Sequence, residues 1–128
     1  VDTNSIGDLS TAQIIARLLK IGKTVLIPFG NKRYDLVLDE DGVFKRIQCK
    51  TGRLKNGVIE FKTSSVDRAG KNIHYKGQVE AFGVYCPELD KTYLIPISKT
   101  GKKSCSLRVQ ESINKQVKKT NLASDFEI

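Results

Sequence analysis

The strongest constraint in this sequence is its punctuation between residues 24 and 97. Turn signals fall at Gly30-Asn31, Asp39-Glu40-Asp41-Gly42, Asn56-Gly57 and Pro87-Glu88-Leu89-Asp90. They cut the chain into short runs rich in branched and aromatic residues: 24–28, 34–38, 43–50, 58–63, 79–85 and 91–97. Runs of this length, bounded this way, predict strands. The DEDG turn predicts that the second and third pair as a hairpin. Residues 79–85 are apolar on alternate positions and are read as a strand, and Pro96 places the last run at an edge or bulge. Residues 64–77 read as a polar loop.

Only one stretch reads as a full helix. In residues 8–21, Ala12, Ile15, Ala16 and Leu19 recur at helical spacing, and Ile14 and Leu18 widen the stripe. Asp8 or Ser10 can cap its start, and Gly22 can end it. One helix followed by a mainly antiparallel sheet predicts a single α/β (α+β) domain over residues 1–128. From about residue 101 large apolar residues thin out. The chain is then expected to become a basic C-terminal arm, with a short strand at 106–109 and a basic stretch at 114–119.

Composition narrows the function. The 128 residues are 39% hydrophobic, enough for one core. No apolar run is long enough to span a membrane and no secretory leader is read, so a cytoplasmic location with no membrane partner is expected. Three dispersed cysteines and one histidine offer neither a disulfide framework nor zinc spacing. The net charge of +8, from 22 basic and 14 acidic residues, suits a polyanionic partner.

Chemistry concentrates on the expected hairpin. Residues two apart on a strand share a face, so Gln48 and Lys50 point together while Ile47 and Cys49 point into the core. Asp35 lies on the neighbouring strand. The same residue types are common on solvated sheet faces. Asp35, however, lies in the apolar run Tyr34, Leu36, Val37, Leu38, where a carboxylate is costly without a partner or a metal. The trio can serve phosphodiester hydrolysis: Asp35, the Gln48 side-chain oxygen and the backbone carbonyl of Cys49 as ligands of a hard cation, Lys50 as the group that orients or deprotonates water. Lys32 and Arg33 precede Asp35, and Arg53 and Lys55 follow Lys50, placed to hold phosphate. Arg68, Lys71, His74 and Lys76 populate the polar loop, from which they can reach DNA.

The blocks GDLSTAQIIARLLKIG, VLIPFG, RYDLV, IQCKTGRLKNG, FKTSS, VYCPELDKTYLIPI, SLRVQESINKQ and ASDFEI span nearly the whole chain. Together they resemble the PD-(D/E)XK nucleases, most closely the branch of bacterial group I intron-encoded homing endonucleases. The resemblance implies a restriction-endonuclease-like core with a mixed central sheet flanked by helices. It puts the first acid on Asp35 and the (D/E)-x-K element on Gln48 and Lys50, with Gln replacing the acid as is typical of that branch. It implies a site-specific endonuclease of double-stranded DNA using Mg2+, with Mn2+ as a substitute. One active site cuts one strand, so a homo-oligomer, dimer or tetramer, is expected. Relatives usually carry a Glu on the first helix where this chain has Thr11, so that either Asp8 or another group substitutes or Asp35 is the one carboxylate ligand of an impaired variant. A Holliday-junction resolvase and a DNA-binding module that has lost catalysis remain alternatives.

Overall fold

In the computed structural model, residues 2–110 and 121–128 are described. The expected basic stretch at 114–119 lies outside them. Helix α1 (Thr3–Lys20) starts five residues before the expected 8. Its cap is Asp2, whose side chain accepts from the Ser5 N–H, and not Asp8 or Ser10. Its end matches expectation. Gly22 adopts φ +83°, while Gly22 N–H bonds Leu19 O and Lys23 N–H bonds Leu18 O, a Schellman closure. The buried stripe is Ser10, Ile14 and Leu18; Ala12, Ala16 and Leu19 are exposed, so the expected stripe is displaced around the helix. Close approach explains the shift, since Ile14 packs on Gly83, where a Cβ would lie 3.0 Å from Ile14 Cγ2.

The central sheet is mixed. Strands β1 (Thr24–Leu26), β2 (Leu36–Glu40), β3 (Val43–Thr51), β8 (Ala81–Cys86) and β9 (Lys91–Pro96) lie in the order β1-β2-β3-β8-β9. Only the β3–β8 pairing is parallel. The β2–β3 hairpin turns on Asp41-Gly42, both at positive φ, the left-handed pair that a two-residue turn needs. Strand β8 is buried along its length, and Pro96 falls on edge strand β9 as expected.

Stretches expected to be loops are strands. Residues 53–57 form β4 (Arg53–Lys55) and a second left-handed turn at Asn56-Gly57, leading into β5 (Val58–Lys62). The polar segment 64–77 contains a hairpin of β6 (Ser64–Val66) and β7 (Asn72–His74). Three-residue polar strands carry one apolar residue each, too few for a period-2 signal.

The described parts of the C-terminal segment pair into the domain. β10 (Ser104–Arg108) pairs with β5, and β11 (Asn121–Leu122) pairs with β10. Cys105 and Leu107 alternate inward there, and Ile128 N–H bonds Thr92 O. These strands form a second sheet, ordered β11-β10-β5-β4.

Helix α1 covers one face of the central sheet, over Leu36, Leu38, Ile47 and Cys49. On the other face, Phe82, Val84, Tyr93 and Ile95 pack against Ile59, Phe61 and Leu107 of the second sheet and against Tyr75. Sheet and helix flank the centre, since α1 is the one α-helix among the described residues. Chain crossover between the sheets occurs at buried Gly52, where a Cβ would lie 2.7 Å from Ile59 Cγ2 and 2.8 Å from Val84 Cγ1. No described helix is long and apolar enough to cross a membrane.

Candidate active site

The β2–β3 ladder ends at Asp35. Its N–H bonds Ile47 O, and its Oδ2 accepts the Cys49 N–H at 2.8 Å. The carboxylate thus stands where the next strand residue would have offered a carbonyl. Even-numbered residues of β3 bond towards β8, as Glu80 N–H to Arg46 O and Gly52 N–H to Tyr85 O show. The Cys49 carbonyl therefore shares the direction of its own N–H, away from β8 and towards the Asp35 side. Asp35 is half-buried, and its second carboxylate oxygen takes no hydrogen bond among the described residues. Burial pushes its pKa up, opposed by the Cys49 hydrogen bond and the Lys50 charge.

Gln48 and Lys50 share the face opposite α1, both half-buried. Lys50 Nζ makes a long contact of 3.4 Å to the Tyr75 hydroxyl and lies 4.9 Å from the centre of its ring. Tyr75 was not among the residues singled out in the sequence; the available signal was one aromatic in an otherwise polar segment. Cys49 faces α1. Its thiol is pushed up to about 12, first by burial and then by the Asp35 charge, while a hydrogen bond with Thr11 works the other way. Thr11 also donates to Gly7 O at 3.1 Å. Thr11 thus lies beside Cys49, and Asp35 lies beside the same residue.

The basic residues separate into engaged and open ones. Arg33 is engaged: its guanidinium lies 3.9 Å over the Tyr75 ring, donates to Gln78 Oε1 at 2.6 Å and to His74 O at 3.1 Å, and bonds Ser65 Oγ. This geometry makes it a brace between the hairpin and the Tyr75 ring. Arg53 pairs with Glu88 at 2.9 Å. His74 Nδ1 donates to the Lys102 carbonyl at 3.1 Å. Lys32, Lys55, Arg68, Lys71 and Lys76 are exposed. Arg68 and Lys71 sit at the tip of the β6–β7 hairpin, where Asp67 Oδ1 accepts the N–H groups of Ala69 and Lys71.

Donor chemistry decides whether a metal suits the site. Asp35, the Cys49 carbonyl and the Gln48 amide offer oxygen only, the preference of a small hard cation. A half-buried carboxylate with its pKa raised by burial is the kind of group a cation stabilises. No group of three or more His, Cys, Asp or Glu that can hold a metal is found among the described residues. The donors fit an ion that keeps water and substrate oxygens in its shell, and not a closed structural site.

A family model described as PD-(D/E)XK endonuclease matches residues 1–128. The fold is similar to the solved structure of a bacterial homing endonuclease, I-Ssp6803I, with a TM-score of 0.75 and 25% sequence identity. The likeness covers 99% of this chain and 89% of that one. No curated protein matches the sequence.

Proposed function

This chain belongs to the PD-(D/E)XK endonuclease family, and from that membership we propose that it is a divalent-metal-dependent, site-specific endonuclease of double-stranded DNA, homing in type. The observation that carries the proposal is the Asp35 carboxylate, with one oxygen held by the Cys49 N–H and the other left without a hydrogen bond among the described residues. It stands beside an outward carbonyl and a lysine.

Asp35, the Gln48 side-chain oxygen and the Cys49 carbonyl would hold the ion, Mg2+ or Mn2+. When bound, that ion supplies Lewis acidity to the scissile phosphate and to the attacking water. Asp35 offsets its charge. Lys50 orients the water or takes its proton, and its cationic form offsets charge developing on the phosphate oxygens. The water oxygen bonds to phosphorus, the bond from phosphorus to the leaving oxygen breaks, that oxygen takes up a proton from solvent, and one strand is cut.

Lys32, Lys55, Arg68, Lys71 and Lys76 supply exposed positive charge for the DNA backbone. A two-stranded ribbon fits the major groove, which suits the β6–β7 hairpin to reading bases. Cutting both strands takes two copies. Leu26, Ile27 and Phe29 are exposed along and just beyond edge strand β1, apolar surface that a second copy can cover.

Incubation of plasmid and genomic DNA with Mg2+ tests the proposal, and discrete fragments are expected. A smear would remove sequence specificity. Preferential cutting of a four-way junction over linear duplex would make the protein a junction resolvase. Binding without nicking, at any protein concentration, would make it a binding module.

A further inference from the structure

Tyr75 is the residue in which hairpin and chemistry meet. It is 4% exposed and directly follows β7. Its carbonyl accepts the N–H groups of Gln78 and Val79, and its ring packs edge-on to Phe82 at 5.5 Å between centroids. Backbone and ring are therefore both fixed. Two cations converge on that ring, the Arg33 guanidinium and the Lys50 ammonium. Arg33 in turn bonds Ser65 of β6 and the His74 carbonyl of β7, so it grips both strands of the hairpin, and it lies two residues before Asp35.

A lysine side chain is a flexible four-carbon stem, and its amine occupies one place only where something holds it. Apart from the charge of Asp35, what holds Nζ among the described residues is Tyr75, by ring face and hydroxyl. We infer that Tyr75 and Arg33 are positioning residues. Tyr75 sets the place of the Lys50 amine, Arg33 locks Tyr75 to the hairpin, and seating of the hairpin on DNA is thereby coupled to the placement of Lys50. The inference rests on the nuclease reading above.

The test separates position from fold and from binding. Tyr75→Phe keeps the ring, the Phe82 contact and the cation contacts but removes the hydroxyl. Tyr75→Leu removes the ring. Single-turnover cleavage in Mg2+ is measured together with duplex affinity by fluorescence anisotropy in EDTA, and with Tm. Tyr75→Phe is expected to lower the saturating cleavage rate about ten- to a hundredfold, the scale of a misplaced catalytic group, with affinity and Tm unchanged. Tyr75→Leu lowers the rate further and weakens affinity. A wild-type rate in Tyr75→Phe overturns the inference while leaving the nuclease reading intact. A second readout does not need catalysis. Pulsed acetylation at one pH, read by mass spectrometry, should label Lys50 faster in Tyr75→Phe than in wild type, and duplex DNA should slow labelling in wild type. Equal labelling of Lys50 in both proteins overturns the inference even if no DNA is ever cut.

Discussion

Asp35 has two duties, and two substitutions pull them apart. Asp35→Asn and Asp35→Ala both remove the charge. Only Asn keeps an oxygen to accept the Cys49 N–H now bonded at 2.8 Å. The stability difference between the two variants therefore isolates that bond. Stranding a backbone N–H costs about 1–3 kcal/mol, and the half-buried setting favours the lower half, about 1–2 kcal/mol. For a domain of this size 1 kcal/mol moves Tm by about 4 °C, so Asp35→Ala should melt roughly 4–8 °C below Asp35→Asn. Against wild type, Asp35→Asn should hold or gain stability at neutral pH, because burial raises the Asp35 pKa. A raised carboxylate pKa means the folded state holds its proton more tightly than the unfolded chain. Wild-type stability then falls as pH rises from about 4 through the raised value, a decline that Asp35→Asn should lack. Mg2+ at ten times its dissociation constant adds about 1.4 kcal/mol, so it should raise wild-type Tm by about 6 °C and leave Asp35→Asn unmoved. Both variants should stop cutting while still binding DNA. Differential scanning fluorimetry at several pH values, with and without Mg2+, reads all of this. Equal Tm for Asn and Ala would refute the strand-end role, and an equal Mg2+ shift in Asp35→Asn would refute the ligand role.

Glu88 accepts the Leu54 N–H and pairs with Arg53, contacts that hold its carboxyl below the ordinary glutamate range. Its stabilisation is full above about pH 4.3 and is lost as pH falls through the lowered value, so Glu88→Gln should flatten the acid limb of the urea midpoint between pH 6 and 3; superimposable limbs would refute it. All three cysteines are buried and free, with Cys49 pushed up to about 12 and Cys105 to about 11 by burial. A disulfide reagent at pH 8 should thus find almost no thiol in the native protein and three after unfolding, and a fast native reaction at Cys49 would contradict its placement. Gly52→Ala forces a methyl against Ile59 and Val84, whose methyl groups lie within 2.8 Å of that position. It should cost about 1–3 kcal/mol in urea denaturation, and a neutral result would mean the two sheets can separate there freely.

The fold was legible where periodicity or turn chemistry is strong. Asp41-Gly42 and the branched run after it fix the β2–β3 hairpin, and Gly22 fixes the end of α1. The start of α1 was hidden because Asp2 caps a mostly polar stretch, Thr3 to Gly7, whose one large apolar residue, Ile6, is too little to show a spacing. The displaced stripe has a similar origin. Ser10 is buried because its hydroxyl bonds that of Thr51, a pairing across 41 residues that no local pattern reveals. β4, β6 and β7 are polar and three residues long, and only their partners make them strands. In the site, the Gln48–Lys50 face follows from strand alternation alone. The brace of Arg33 on Tyr75 joins residues 42 apart and depends on a hairpin that read as a loop.

The position of the site follows from an unfinished ladder. β3 runs past the first residue of β2, so the N–H and C=O of Cys49 face a place where no strand continues. A sheet elsewhere would satisfy both with the next residue of a partner. Here Asp35 takes the N–H with its side chain, which leaves the carbonyl and one carboxylate oxygen pointed at the same gap. The Asp35 charge is already partly offset by Lys50. With Gln48 neutral and Thr11 beside Cys49, Asp35 would be the single negative charge that the proposed site, among the described residues, offers a divalent ion. Under the proposed function the remaining charge would come from the scissile phosphate, which would place ion and DNA in one binding event and make the free protein a weak metal binder. Under the proposed function, a site built this way would be poised only when its substrate is present, the property that a homing-type endonuclease would need inside a genome.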